Sequence, residues 1–453
     1  MLNKIKAKLL TPLVLYLLVD LIAKGLQFVF LPSASHILTI EAYGKLTLIL
    51  ALLTALAPIV SLSSEAAYSV FFNRVKGSEK VKLFAACLLV SLSGLALFSS
   101  LVLMLSLIND QLIFKIISLR QDVALICVVV FFEFLITLSL LTNRLTFQKI
   151  KYFISYLFYV GSKFLVGMSS IYMFESPNSY LLAILANNVV FAGIFLSYTF
   201  GLRNLVNELR KFPQDYYKKV FNYATIILPV TLFSVVNSLV DKAFISNFLS
   251  ISDLANYTSV FLLAGALQII IMALNKSYMP KLLKLYSLEG YRALNSVSKD
   301  TTRFLLIVSL CYAGSIFLSP ILFTLLFDEG ITFYPQVFIV LSLAFSFNSI
   351  YILYTNVLSL EEKTAKFKMF GFLIALCINI PLSYGLTLKF GLFGAAISTL
   401  LSTLVAASVL SLFVSKVVLR FYLLKTYLAF VTFMSLIAFT IIYFELYSFT
   451  LLD

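Results

Sequence analysis

The chain has 453 residues, 61% of them apolar and only 12% charged, with a formal net charge of +14 and a mean hydropathy of +1.02. Surface-to-volume scaling leaves no way to hide that much apolar area in a water-soluble body of this size, so a soluble multidomain protein is excluded. One His and four scattered Cys (Cys87, Cys127, Cys311, Cys377) cannot build a disulfide framework or a Cys/His metal centre, and no cofactor motif such as a Walker A sequence occurs.

Apolar runs long enough to cross a bilayer recur from end to end. The first, Pro12–Ser33, follows Lys4, Lys6 and Lys8 and contains Asp20 and Lys24. It is too long, and too charged inside, for a cleavable signal and reads as a retained helix. Further spans are expected at Gly44–Phe72, Leu83–Ile108, Val123–Leu141, Tyr152–Phe174, Ser179–Phe200, Phe221–Phe248, Leu254–Met279, Phe304–Phe327 and Phe333–Leu360. Phe367–Leu388 and Gly391–Val414 follow, separated only by Lys389-Phe390, so they must form a tight hairpin. Tyr427–Leu446 makes a thirteenth span. The expected class is an all-α polytopic membrane protein.

Positive charge orients the spans. Only Lys45, Lys115, Arg120 and Lys389 fall in loops or at a span end on one side, and Lys24, Lys163 and Lys242 fall within the membrane. All the other Lys and Arg lie in the amino-terminal tail or in the loops that follow even-numbered spans, Lys276 and Lys368 within three residues of a span end bordering such a loop. Cytoplasmic loops carry the excess of Lys and Arg, so the amino terminus is expected in the cytoplasm. The basic excess then marks topology and attraction to anionic lipids of the inner leaflet, and argues against nucleic acid as a partner.

The first and seventh spans align without gaps: Pro12 lies over Pro229, Asp20 over Asn237 and Lys24 over Asp241. The loop and helix that follow also match, with Tyr43 over Tyr257 and an acid just before each. Six spans separate the two starts, so both run the same way. That pattern predicts two parallel six-helix repeats, residues 1–205 and 206–415, around a central substrate cavity, with 416–453 as an additional peripheral helix.

Ionisable groups at membrane depth are costly and normally face a partner or a wet cavity. Asp20 and Lys24 share a helix face about 12 and 18 Å from its inner end. Asp241 and Lys242 are adjacent, so they point about 100° apart. Glu133 and Lys163 each sit near the middle of their spans, and Glu65 lies in the inner third of the second. Asp20–Lys24 and Glu133–Lys163 can be read as structural pairs; the set as a whole reads as a transport cavity. In that cavity Lys24, Lys163 and Lys242 suit a diphosphate as point charges. Asn188 and Asn237, with Asn187, Asn348, Asn356 and Asn379, suit sugar hydroxyls or interhelical hydrogen bonds. Asp20, Asp241, Glu133 and Glu65 are the candidates for coupling to H⁺ or Na⁺.

Four segments resemble the polysaccharide-transporter branch of the multidrug/oligosaccharidyl-lipid/polysaccharide exporter superfamily, and within it O-antigen or capsule repeat-unit flippases. They are Thr39-Ile-Glu41-Ala-Tyr43-Gly44; Asp241-Lys242 with Ser252-Asp-Leu-Ala-Asn-Tyr257; Met279-Pro280; and Asn379-Ile-Pro-Leu-Ser-Tyr with Phe390-Gly391-Leu-Phe-Gly394-Ala-Ala-Ile-Ser-Thr. The resemblance implies two six-helix bundles that open alternately to the two sides of the bacterial inner membrane. It implies an undecaprenyl-diphosphate-linked oligosaccharide as cargo, with a polysaccharide polymerase complex as a further partner. The rival readings are a multidrug/cation antiporter of the same superfamily and a membrane glycosyltransferase or polymerase. The short external loops count against the latter.

Overall fold

The computed structural model describes residues 12–108, 118–146, 148–360 and 367–417, together with Phe430 and Phe433. These residues are almost entirely helical, with no strand among them. The helices are α1 (Pro12–Ser35), α2 (Ile40–Val60), α3 (Ser64–Phe71), α4 (Glu79–Ile108), α5 (Ala124–Leu145), α6 (Lys149–Phe174) and α7 (Pro177–Phe200). After these come α8 (Leu202–Arg210), α9 (Gln214–Phe248), α10 (Ile251–Glu289), α11 (Ala293–Ser296), α12 (Ser298–Leu326), α13 (Pro335–Leu358) and α14 (Phe367–Val417). Among the described residues, nine helices are long and apolar enough to cross a membrane. With backbone groups satisfied inside each helix, this is the architecture a hydrocarbon solvent permits. The chain is a multi-pass membrane protein. The thirteenth expected span lies outside the described residues except for Phe430, which is buried with its ring 6.1 Å from that of Phe347.

Packing divides the chain into two compact units, Met1–Val235 and Val236–Asp453, so the division falls within α9. In the first unit α1 packs on α6, α5 lies between α2 and α7, and a core of Tyr68, Phe72, Phe84, Phe134 and Tyr159 fills the interior. In the second unit α13 is the central helix. It is buried along nearly its whole length against α10, α12 and α14 around Tyr312, Phe347, Tyr354 and Leu410.

The repeated loop-helix segment has a local cause in each unit. Thr39 caps α2, its Oγ1 accepting from the backbone N–H of Ala42, with Glu41 in the first turn. Ser250 and Asp253 form a reciprocal capping box on α10. Both devices satisfy donors that a helix start leaves open, and the acids favour the positive helix end. Tyr43 and Tyr257 each follow the cap and are fully buried.

Two stretches of the chain depart from straight helix, one inside an expected span and one between two of them. The Gly44–Phe72 run breaks after Val60, where Leu62 (φ 49°) and Ser63 (φ 55°) both take left-handed backbone before α3 begins. Non-glycine residues rarely adopt that conformation, and two in succession need support from their surroundings. Gly94 of α4 supplies it. A Cβ there would sit 2.6 Å from the Val60 carbonyl oxygen and 2.8 Å from the Leu62 side chain. Ser91 Oγ donates to that same carbonyl at 3.2 Å, and Ser63 Oγ lies 2.8 Å from Thr231 Oγ1 of α9.

The second is α14, which reverses at Gly391 (φ 60°, ψ −137°) as the tight hairpin requires. Ser383 and Ser398 oxygens lie 2.7 Å apart across the reversal. Over fifteen residues of straight helix they would be separated by about 22 Å. Gly394 permits the close approach: a Cβ there would lie 2.0 Å from the Leu386 carbonyl oxygen.

Candidate functional site

Among the described residues, each unit holds a cluster of polar and charged side chains within its long apolar helices. In the second unit the centre is Asp241 of α9, only 3% exposed. Tyr257 of α10 donates its hydroxyl to Asp241 Oδ2 at 3.1 Å, and Thr399 of α14 donates to the same oxygen. Ser383 Oγ lies 3.0 Å from Asp241 Oδ1, 3.0 Å from Asn379 Oδ1 and 2.7 Å from Ser398 Oγ. A hydroxyl carries a single proton, so Ser383 cannot donate to both acceptors at once. The Asp241 carboxylate is thus ringed by hydroxyls from α10 and from both halves of α14. That composition suits an added proton or a small hard cation held by oxygen ligands.

Lys242, 7% exposed, leaves this shell in another direction. Its ammonium rests 4.1 Å from the centroid of the Phe261 ring. An aromatic face attracts a desolvated cation through its quadrupole, and the attraction holds the Lys charge beside the shell.

In the first unit α5, α6 and α7 bring together Glu133, Tyr159, Ser162, Lys163, Asn187 and Asn188. Lys163 Nζ donates to Glu133 Oε1 at 2.7 Å, with side-chain exposures of 22% and 34% respectively. Ser162 Oγ donates to Asn187 Oδ1 at 2.6 Å, while Asn187 Nδ2 is buried with no partner among the described residues. Tyr159 donates to Asn188 Oδ1 at 3.1 Å, and Asn188 Nδ2 donates to the Val129 carbonyl at 3.3 Å. Asn188 is thus fully buried as an interhelical tie, and it is the neighbouring Asn187 that keeps an unspent donor.

The remaining candidates are scattered. Lys24 is exposed on α1. The side chains of Asp20 and Asn237 lie outside the described residues. Glu65 sits in the first turn of α3, beyond the helix break, with Oε2 buried and unpartnered among the described residues. Asn348 and Asn356 bond to Gln268 and Asn275. The hydroxyl partners Tyr257, Ser383, Thr399, Tyr159 and Ser162 do not stand out in the sequence as site residues. Ser383 and Thr399 do lie inside the Asn379–Thr399 segment that carries the resemblance, and Tyr257 inside the repeated loop, which is the signal that marks them.

Residues 10–285 match the family described as "Polysaccharide biosynthesis protein". The chain belongs to this family. Its fold is that of the multidrug/oligosaccharidyl-lipid/polysaccharide exporter superfamily, in the polysaccharide-transporter branch. Solved structures of the same fold include "Lipid II flippase MurJ, inward closed conformation" (TM-score 0.63, 16% identity, 96% of this chain and 99% of that chain). Another is an inward-facing multidrug resistance MATE family transporter of the MOP superfamily (0.63, 13%, 90% and 95%). A third is the Vibrio cholerae MATE transporter VcmN in the bent form (0.53, 12%, 92% and 96%). A search of curated proteins gives no significant match. At these identities the structural likeness speaks to fold alone, so the chemistry of this family member has to be argued from its own side chains.

Proposed function

We propose that the chain translocates an undecaprenyl-diphosphate-linked oligosaccharide repeat unit from the inner to the outer leaflet of the bacterial cytoplasmic membrane by alternating access. The observation that carries this reading is the placement of charge: each unit sets an acid beside a lysine within its long apolar helices, buried in the second unit and half-buried in the first, with hydroxyls and amides gathered around them. A passive scaffold would not sustain the cost of such groups in hydrocarbon. An oligosaccharide-diphosphate headgroup needs cations for its phosphates and hydrogen-bonding partners for its sugars while its tail stays in lipid.

In this reading Lys24, Lys163 and Lys242 hold the diphosphate in turn. Lys24 and Lys163 are accessible as they stand, Lys163 by exchanging Glu133 for a phosphate oxygen. A lysine exposed on an apolar helix is costly against lipid, and this reading turns the Lys24 face of α1 to water. Asp241, with its ring of hydroxyls, is the site at which H⁺ or Na⁺ couples to the cycle, with Asp20, Glu133 and Glu65 as secondary acids. The amino terminus is cytoplasmic, the cargo feeds O-antigen or capsule synthesis, and a polymerase complex receives it.

The family match, the MurJ-like fold and the basic side chains all support a lipid-linked anionic cargo. The MATE structures match the fold as well, and a multidrug cation exporter is the second reading. Lys163 and Lys242 count against it, because a cation cargo calls for uncompensated acid. Complementation of a flippase-null strain decides between them. The wild-type chain is expected to restore surface polysaccharide and clear the accumulated lipid-linked intermediate, whereas Lys163→Ala and Lys242→Ala are expected to fail at normal membrane levels. Full surface glycan with both lysines removed would discard the diphosphate-holding role. Drug resistance conferred without glycan rescue would favour the cation exporter.

A further inference from the structure

Within the second unit one face of α10 carries Phe261, Gly265, Gln268, Met272 and Asn275, at steps of four and three residues, so they line a single stripe. The facing residues of α13 are Phe345, Asn348, Ile352 and Asn356. The two helices meet through like pairs along this seam. The rings of Phe261 and Phe345 are 5.3 Å apart, edge to face. Asn348 Nδ2 donates to Gln268 Oε1 at 3.1 Å, and Asn356 Nδ2 donates to Asn275 Oδ1 at 2.6 Å. From Phe261 to Asn275 the stripe runs about 21 Å along α10. Lys242 sits at its upper end, on the Phe261 ring.

Two features go beyond helix-to-helix glue. Each carboxamide has two N–H donors and two acceptor lone pairs, and each pair spends one donor and one acceptor, so hydrogen-bonding capacity of both kinds remains on the seam. Gly265, between the aromatic pair and the first amide pair, has nothing within 4 Å of the place a Cβ would occupy. The stripe therefore borders open space at that level. Lipid tails gain nothing from leftover amide groups, a cationic drug needs carboxylates the stripe lacks, and a bare phosphate needs charge beyond Lys242. A hydroxyl-rich neutral ring meets every element: hydroxyls donate to and accept from the amides, and its C–H face stacks on phenylalanine.

We propose that the α10–α13 seam is a saccharide rail, with Gln268, Asn275, Asn348 and Asn356 holding the sugars of the cargo while Lys242 holds its diphosphate. The proposal rests on the flippase reading and names the residues that sense the sugar. Gly265 leaves room for the first ring, and the paired amides repeat about two helical turns further on for the next.

The test uses the full-length chain in nanodiscs, titrated with two probes: undecaprenyl diphosphate, and undecaprenyl-diphosphate N-acetylglucosamine. The wild-type chain is expected to bind the glycosylated probe more tightly. Gln268→Leu with Asn348→Leu should remove that preference, roughly three- to tenfold for the hydrogen bonds lost, and leave affinity for the bare diphosphate unchanged. Gly265→Leu should do the same by filling the open space. It disturbs no hydrogen bond, so it decides the matter if the amide variants fold poorly. Variants that melt earlier yet keep the sugar preference would show the amides to be structural ties and overturn the rail. Equal binding of both probes by the wild-type chain would overturn it too. Failure of the wild-type chain to bind either probe would instead remove the flippase reading on which the rail rests.

Discussion

Substituting Gly394 with alanine tests whether the α14 hairpin builds the Asp241 site. The added Cβ would lie 2.0 Å from the Leu386 carbonyl oxygen and 2.4 Å from its carbon, both backbone atoms that no side-chain rotation can clear. Restoring contact distance requires the two halves of α14 to part by about 1 Å at this level, and overpacking of that kind costs about 1–3 kcal/mol. The Ser383–Ser398 contact, 2.7 Å in the native hairpin, would stretch beyond hydrogen-bonding range. Its loss adds about 0.5–1.5 kcal/mol, for a total on the order of 2–4 kcal/mol. Ser383 and Thr399 ride on opposite halves of α14, so the same parting loosens two of the three hydroxyls on Asp241. The assay is thermal unfolding in detergent together with complementation, with Gly193→Ala as the matched control because nothing lies within 4 Å of its Cβ position. The expected result is a lowered midpoint and lost function for Gly394→Ala alone. If the two alanine variants melt together and both complement, the close packing of the hairpin does not build the site.

Thr399→Val keeps the shape of the side chain and removes one donor to Asp241. We expect stability to fall by about 1–3 kcal/mol and glycan export to lose its dependence on the coupling ion, measured by unfolding and by export across a Na⁺ and pH series. Glu133→Ala leaves Lys163 without its carboxylate, so Lys163→Ala combined with Glu133→Ala should be more stable than Glu133→Ala alone. A double-mutant cycle should give a coupling on the order of 1 kcal/mol, given the partial exposure of the pair. Gly94→Ala intrudes on the Val60 carbonyl and Leu62, and should shift the backbone at the α2–α3 break. Greater protease or hydrogen-exchange access at 58–64 than in the wild-type chain is the expected readout.

Hydropathy alone locates the described spans, because a bilayer rewards length and apolarity and little else. The two helix irregularities divide sharply in how legible they are. The α14 reversal is written as Lys389-Phe390-Gly391, a charge and a glycine in an apolar run. The α2–α3 break has no glycine at the left-handed positions; its support comes from Gly94, some thirty residues away, and a periodicity argument cannot see that. The acids and lysines of the site stand out in the sequence because each is an exception in an apolar run. Whether Glu133 and Lys163 pair or stand apart is left open by their spacing, and the structure pairs them. The hydroxyls around Asp241 are not legible, since serine, threonine and tyrosine are commonplace in membrane helices and these come from two other helices, up to 158 residues distant.

The brevity of the α14 turn has a mechanical consequence. With only Lys389 and Phe390 ahead of the reversal at Gly391, and Gly394 seated against Leu386, the two halves behave as one stiff paddle. Ser383 and Thr399 sit on opposite blades and travel as a fixed pair. Whatever rearrangement bares the Asp241 carboxylate must then swing the paddle off α9 or slide α10 past it, so the proposed exchange of an ion there would be yoked to a whole-helix stroke.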